Sequence, residues 1–269
     1  MPDELQSRSA FAQHLADAAG EIIRPFFRRR IAISDKGRPG FFDPVTEADR
    51  RAEEAIRKMI GAEFPRDGII GEEFGESRGD TGFVWVIDPI DGTRSFVAGQ
   101  PMWGTLIGLE YQEHPEIGVL DQPFLRERFT GARGSAESRD AQGVVRLKTR
   151  ICGALADAVL CTTHPVTHFD DQERAQFRRI EQACRFSRYG GDCYAYGLLA
   201  MGLLDLVVEA GLKHWDVAAV IPIVEGAGGI ISDWNGGPVS RGGNVIAAGD
   251  AQLHAAAVQI LSQPAPRSR

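Results

Sequence analysis

The sequence predicts an α+β chain, and three observations carry that prediction. Apolar residues recur at helical spacing near the N-terminus, at Leu15, Ala19, Ile22, Ile23 and Phe26. A central stretch of short β-branched and aromatic runs reads as an antiparallel sheet. Beyond it, strand-like runs alternate with helical ones, the pattern of an α/β half.

The first helix is expected over Leu5 to Phe27, with the basic run Arg28-Arg29-Arg30 at its C-terminus, where cations complement the dipole. Ser34 to Pro44 is polar and rich in Gly and Pro, and reads as a mobile loop. Thr46 caps a second helix that runs to about Phe64, with Asp49 at the capping-box position. Phe83 to Ile87 is an apolar, buried strand. Trp103–Tyr111, Ile117–Asp121 and Arg128–Thr130 follow as successive antiparallel strands. Gly131 to Gly143 is small and polar and reads as a flexible surface loop. Then come strand Ala158–Thr162, helices near Asp170–Cys184 and Cys193–Leu204, and strand Leu206–Glu209. A helix Asp216–Gly226 and a strand Gly229–Ser232 finish the half, and Pro264–Arg269 is expected to fray.

The chain has 269 residues, enough for one large domain or two closely joined halves, divided here as 1–146 and 147–269 within one compact unit. Its 37 acids against 30 bases give a net charge of −7, which disfavours a nucleic-acid or anionic-membrane surface. No apolar run spans a bilayer and no signal peptide opens the chain, so a cytoplasmic location is expected. Cys152, Cys161, Cys184 and Cys193 form no Cys-x-x-Cys pair and read as reduced, mostly buried thiols. His164 and His168 have the i,i+4 spacing of a zinc pair, but Pro165 and the lack of an acid between them favour a loop.

The most informative stretch is Asp88-Pro-Ile-Asp91-Gly-Thr93. It sets two carboxylates at the end of a strand, where α/β sheets place ligand sites. Gly92 lets the backbone approach a ligand, and Thr93 to Val97 can begin a short helix whose N–H groups attract an anion. A polyanion binds beside two carboxylates only if cations neutralise them first, which describes a metal-dependent phosphate site. Glu72-Glu73 upstream and Trp215-Asp216 downstream supply further acids, with Asp216 expected as the N-cap of its helix. Hard oxygen ligands without Cys or His point to Mg²⁺ or Mn²⁺. A pair of such ions ~3.5–4 Å apart would hold the phosphate and lower the pKa of a water. Taken singly, each acid is better read as a loop, turn or cap residue; taken jointly they are not.

These spaced motifs resemble those of the inositol monophosphatase family of lithium-sensitive, magnesium-dependent phosphatases. The match runs in order from Val45-Thr46-Glu-Ala-Asp49 to Glu225-Ala-Gly-Gly229. The resemblance implies a layered αβαβα sandwich with metals between its halves, two or three ions per site, and a homodimer. It implies that Glu72, Asp88, the Ile90 carbonyl, Asp91 and Asp216 are metal ligands. Glu72 is also implied to be catalytic, Thr93 with Asp49 to activate the attacking water, and the Gly92 and Thr93 amides to hold phosphate. Ser95 departs from the Asn that many members have, which puts a supporting hydrogen bond in question.

The substrate turns on Gly190-Gly191-Asp192-Cys-Tyr-Ala-Tyr196 and on Glu209. Asp192 stands where inositol-type members carry a small hydroxyl residue, and a carboxylate there prefers a cationic substrate group. The run resembles the histidinol-phosphate phosphatases of the family, which serve histidine synthesis. By that resemblance Asp91, Gly191, Asp192, Glu209 and Asp216 contact a small phosphorylated metabolite. A competing role for Asp192 is to cap the following helix. An inositol-1-monophosphatase, another small-ester phosphatase and an inactive binding or scaffold protein remain as alternatives.

Overall fold

The structure, a computed structural model, describes residues 2–37, 44–239 and 241–263. The first half opens with helix α1 (Pro2–Ile23), the hairpin strands β1 (Ile33–Asp35) and β2 (Pro44–Thr46), and helix α2 (Glu47–Glu63). Strands β3 (Gly68–Gly71), β4 (Gly75–Ser77) and β5 (Phe83–Asp91) lead to the short helix α3 (Thr93–Val97). Five more strands follow: β6 (Gly104–Tyr111), β7 (His114–Gln122), β8 (Glu127–Ala132), β9 (Ser135–Asp140) and β10 (Gly143–Arg146). The second half contains β11 (Val159–Thr162), α4 (Asp171–Ala183), β12 (Phe186–Tyr189), α5 (Tyr194–Ala200) and β13 (Leu206–Leu212). It ends with α6 (His214–Val217), α7 (Val220–Gly226), β14 (Ile230–Asp233), β15 (Gly243–Ala248) and α8 (Ala251–Leu261).

Besides the two-stranded β1-β2 pair, two larger sheets form, one of eight strands in the order β10-β9-β8-β7-β6-β5-β3-β4 and one of five in the order β12-β11-β13-β15-β14. Helices α1 and α2 cover one face of the larger sheet, where Leu15, Ile23, Ile56 and Ile60 pack on Trp85, Ile87 and Ile107. Helices α5 and α7 lie between the sheets, burying Leu199, Val220 and Ile223 against Leu106, Phe129, Val207 and Val245. Helices α4 and α8 close the far side over Leu160, Val208 and Ile246. Each layer thus buries one apolar face, and the chain is an αβαβα sandwich.

A row of glycines brings the middle layer close. Gly108, Gly118 and Gly131 are paired neighbours on β6, β7 and β8. A Cβ on Gly118 would lie 1.8 Å from the Ala219 carbonyl oxygen, and one on Gly131 2.3 Å from the Ile223 nitrogen. The segment through α6 and α7 therefore rests directly on the sheet, which carries Asp216 to the end of β5.

Several expectations need correction. Gly131–Gly143 is not a loop but the end of β8 with β9 and the start of β10, tight antiparallel partners at the sheet edge. Its residues are small and polar because those edge strands are largely exposed. The first helix stops at Ile23, two residues before Pro25, so Arg28 to Arg30 lie outside it and Arg28 takes a positive φ of 59°. Ser34 and Asp35 are strand residues paired with Val45 and Pro44, while residues 38–43 of the expected mobile loop lie outside the described residues. The expected helix Asp216–Gly226 is two helices, since Pro222 offers no N–H to the Ala218 carbonyl. The helix after Cys193 ends at Ala200, short of Leu204. Strand β15 and helix α8 were not anticipated, and Pro264–Arg269 lie outside the described residues.

Candidate active site

Strand β5 carries the centre of the site past its last regular partner. It pairs with β6 through Asp88↔Leu106, and the register shifts before Asp91↔Gly104. Within that irregularity Asp88 Oδ1 accepts the Ile90 N–H at 3.0 Å, an Asx-type turn that fixes both residues. The chain then bends at Gly92, whose φ of 82° falls in the left-handed region. A side chain there would also meet the Met102 carbonyl at 2.8 Å, so the turn demands glycine twice over. Helix α3 starts at the next residue, and the Thr93 hydroxyl donates to the Ile90 carbonyl at 3.0 Å.

Two backbone donors hold the remaining carboxylates of the cluster. Asp91 Oδ2 accepts the Cys193 N–H at 2.7 Å, and Asp216 Oδ2 accepts the Lys213 N–H at 2.6 Å. Asp216 is therefore not the N-cap of its helix: it sits at the third helical position and reaches back to Lys213. Carboxylate oxygens of Asp88, Asp91 and Asp216 lie within 4.8 Å of one another. Burial, then like charge, pushes the acids upward: Asp88 and Asp216 well above the carboxylate range, and Asp91 to about 6.

Glu72 approaches from the end of β3, with its N–H on the Ile87 carbonyl at 3.2 Å. Burial raises its pKa, and Lys36 opposes the rise from 3.0 Å while also binding Glu73 at 2.6 Å. A residue the motifs did not single out sets this loop. Glu53 of α2 is fully buried and accepts the N–H groups of Glu73 and Phe74 at 2.7 and 3.2 Å. Arg57 balances its charge at 2.7 Å. The available signal was an acid on the apolar stripe of α2, alongside Ala52, Ile56 and Ile60.

Asp49 completes the expected capping box. Its carboxylate accepts both the N–H and the hydroxyl of Thr46, at 2.9 and 2.5 Å. Burial lifts its pKa to about 7, with Glu73 and Glu72 adding like charge. Thr93 and Asp49 are not paired with each other: the first bonds Ile90 and the second Thr46.

A cavity of about 240 Å³ is lined among others by Glu72, Asp88, Asp91, Thr93, Asp192 and Asp216, while Asp49 is not part of its lining. Ile90, Gly92 and Glu209 also line it, whereas Gly191 supports the wall from behind, where a side chain would strike Ala195 and Cys161. Asp192 does not cap α5. The cap position is Cys193, without a side-chain bond, and Asp192 takes a φ of 42°. Its Oδ2 instead accepts the Ser95 hydroxyl at 2.7 Å, so the departure at Ser95 forms a bond rather than losing one. Burial raises Asp192 to about 7, with Asp91 adding to the rise. Glu209 accepts the Thr163 N–H and hydroxyl at 2.7 and 3.0 Å and the Thr162 hydroxyl at 3.2 Å, yet burial lifts it to about 8. On the opposite lip, Arg94 and His168 touch at 3.0 Å, and burial lowers the imidazole to about 4. The His164–His168 segment is the expected loop.

The model of the inositol monophosphatase family matches residues 4–264. The chain belongs to the inositol monophosphatase family. The family match spans both sheets and every acid described above. Among curated relatives, a bifunctional phosphatase IMPL2 of Arabidopsis thaliana chloroplasts is 42% identical over 96% of this chain and 76% of its own length. A histidinol-phosphatase of Chlorobaculum parvum is 40% identical over 84% of this chain and 85% of its own. The solved structure of an inositol monophosphatase from Zymomonas mobilis is 44% identical, superposes with a TM-score of 0.86, and covers 96% of this chain and 98% of that one. Among the described residues no helix is long and apolar enough to cross a membrane.

Proposed function

We propose that this chain is a magnesium-dependent phosphomonoesterase and that its ester is histidinol phosphate. The observation that carries the reaction is the close trio of buried Asp88 and half-buried Asp91 and Asp216, opening onto the start of α3. Three carboxylates this close, one of them fully buried, are costly unless protonated or matched by cation. Lys36 is already engaged by Glu72 and Glu73. The donor set is oxygen alone and therefore suits Mg²⁺ or Mn²⁺, two or three ions, held by Glu72, Asp88, the Ile90 carbonyl, Asp91 and Asp216. Bound there, such ions would offset phosphate charge and lower the pKa of a water.

The chain's own groups supply position. The Gly92 and Thr93 amides face the phosphate, and the glycine lets it come close. Thr93 and Asp49 orient the attacking water, Thr93 from the cavity wall and Asp49 beside Glu72. Glu72 takes the water's proton as the water oxygen attacks phosphorus; the bond to the alcohol oxygen breaks, that oxygen takes a proton from solvent, and Glu72 gives its own proton back to solvent. Asp91, Asp192, Glu209 and Asp216 surround the alcohol portion, with Gly191 behind them.

The substrate rests on Asp192. A carboxylate that caps no helix, beside a second buried acid at Glu209, fits a cationic alcohol portion better than a neutral polyol. The Chlorobaculum histidinol-phosphatase supports this reading. The Zymomonas structure, named an inositol monophosphatase, favours a second one, a polyol ester. Phosphate release from histidinol phosphate and inositol 1-phosphate, with Mg²⁺, separates them. A kcat/KM at least tenfold higher for histidinol phosphate supports the proposal, and the reverse order overturns it. No turnover of any ester would leave a binding or scaffold role. The reading includes a cytoplasmic homodimer, to be checked by cell fractionation and light scattering.

A further inference from the structure

Tyr196 lies on α5, four residues after Asp192, and is 2% exposed. Its hydroxyl has no hydrogen-bond partner among the described residues, and the residue lines the same cavity as Asp192, Glu209 and Asp216. Buried tyrosine hydroxyls ordinarily find a partner, because leaving one unpaired is costly. Trp103 Nε1 shares that lack of a partner, but it sits in the core beneath α1, away from the cavity. Only the tyrosine therefore points toward a ligand.

We infer that Tyr196 is a specificity-determining residue whose hydroxyl hydrogen-bonds the alcohol portion of the phosphate ester. The inference rests on the phosphomonoesterase reading of the site. The surrounding groups define the ligand chemistry. A phenol keeps its proton at neutral pH, and its oxygen retains lone pairs that accept. Its neighbours are acceptors, and Glu209 is already served by Thr162 and Thr163. A nitrogen-bearing group in this cavity suits both side chains: an N–H gives a hydrogen to the Asp192 carboxylate, and the phenol, which both donates and accepts, pairs with nitrogen in either role. The ligand class is the phosphate ester of a nitrogen-bearing alcohol.

The test compares Tyr196→Phe with the wild type on histidinol phosphate and on glycerol 2-phosphate, which has no nitrogen. Phenylalanine keeps the ring that packs α5 and removes one oxygen. The loss of kcat/KM on histidinol phosphate is expected to be about 5–30-fold, carried by KM, and at least fivefold larger than on glycerol 2-phosphate. The melting temperature should hold or rise, since the removed oxygen has no partner to forfeit. Histidinol itself, as a competitive inhibitor, should bind 5–30-fold more weakly to the variant, while inorganic phosphate shifts less than twofold. Should the Phe variant fail to fold, Tyr196→Met, also apolar and adaptable, gives the same comparison. Equal losses on both esters, or none on either, overturn the role of Tyr196 while leaving the phosphatase reading intact. A wild type that hydrolyses no ester overturns both.

Discussion

Asp192→Asn isolates the charge that sets the substrate reading. The replacement keeps shape, and asparagine tolerates the positive φ of 42° at this position. It also keeps an acceptor for the Ser95 hydroxyl, which now bonds Asp192 Oδ2 at 2.7 Å. No helix cap is lost, because Cys193 occupies that position. What disappears is a charge-assisted bond to a cationic substrate, which contributes about 1.5–3 kcal/mol. At about 1.4 kcal/mol per factor of ten, kcat/KM for histidinol phosphate should fall roughly ten- to a hundredfold. Glycerol 2-phosphate should lose far less. The pH dependence gives a second reading of the same charge. Burial holds Asp192 near 7, so the carboxylate form grows as pH rises through that value. The ratio of KM for histidinol phosphate to that for glycerol 2-phosphate should fall over the same range in the wild type and stay flat in the variant. Initial-rate phosphate release from pH 6 to 8.5 measures both. Equal losses on the two esters, or an unchanged pH profile, would refute the reasoning.

Other perturbations have definite outcomes. Asp91→Asn should retain the fold, since the Cys193 N–H at 2.7 Å still finds an oxygen, yet lose at least about a hundredfold in kcat; near-wild-type kcat at saturating Mg²⁺ would remove Asp91 from the ligand set. Glu53→Ala strands two N–H groups and takes the carboxylate from half-buried Arg57, and should destabilise by about 2–4 kcal/mol in urea unfolding; a change below about 1 kcal/mol would show that the Glu72–Glu73 loop holds itself. The raised carboxyls make stability pH-dependent. Asp49, Asp91, Asp192 and Glu209 lie at about 7, 6, 7 and 8 when folded, against ordinary values of 3.8 to 4.5. Between those limits the folded chain binds more protons than the unfolded one, so stability falls as pH rises. Metal-free Tm should decline from pH 5 to 8, and Mg²⁺ should raise Tm more at pH 8 than at pH 5; calorimetry showing a rising metal-free Tm would contradict this.

Local signals made much of this fold legible. The capping box at Thr46 and Asp49, the apolar run of β5 and the Asp88–Thr93 turn are short-range features, each written in a few adjacent residues. Pairing at long range was not legible. β9 has little apolar content because it lies largely exposed next to the sheet edge, and only its hydrogen-bonded register makes it a strand. The same limit hid the supports of the site. Lys36 meets Glu72 and Glu73 across 36 and 37 residues, and the Cys193 N–H holds Asp91 across 102. Asp216 looked like an N-cap because an acid precedes an apolar run; the fold instead starts the helix two residues earlier and turns the carboxylate back to Lys213. The unpaired Tyr196 hydroxyl has no signature in sequence at all, since a partner's absence is a property of packing.

The central claim is that the buried acids at the end of β5 hold divalent metal for phosphate-ester hydrolysis. Its most direct measurement is phosphate release by metal-stripped protein as Mg²⁺ is titrated back. No turnover in excess chelator, and saturable recovery that Asp91→Asn fails to show, is the predicted result. Full turnover of the stripped protein in excess chelator would contradict it.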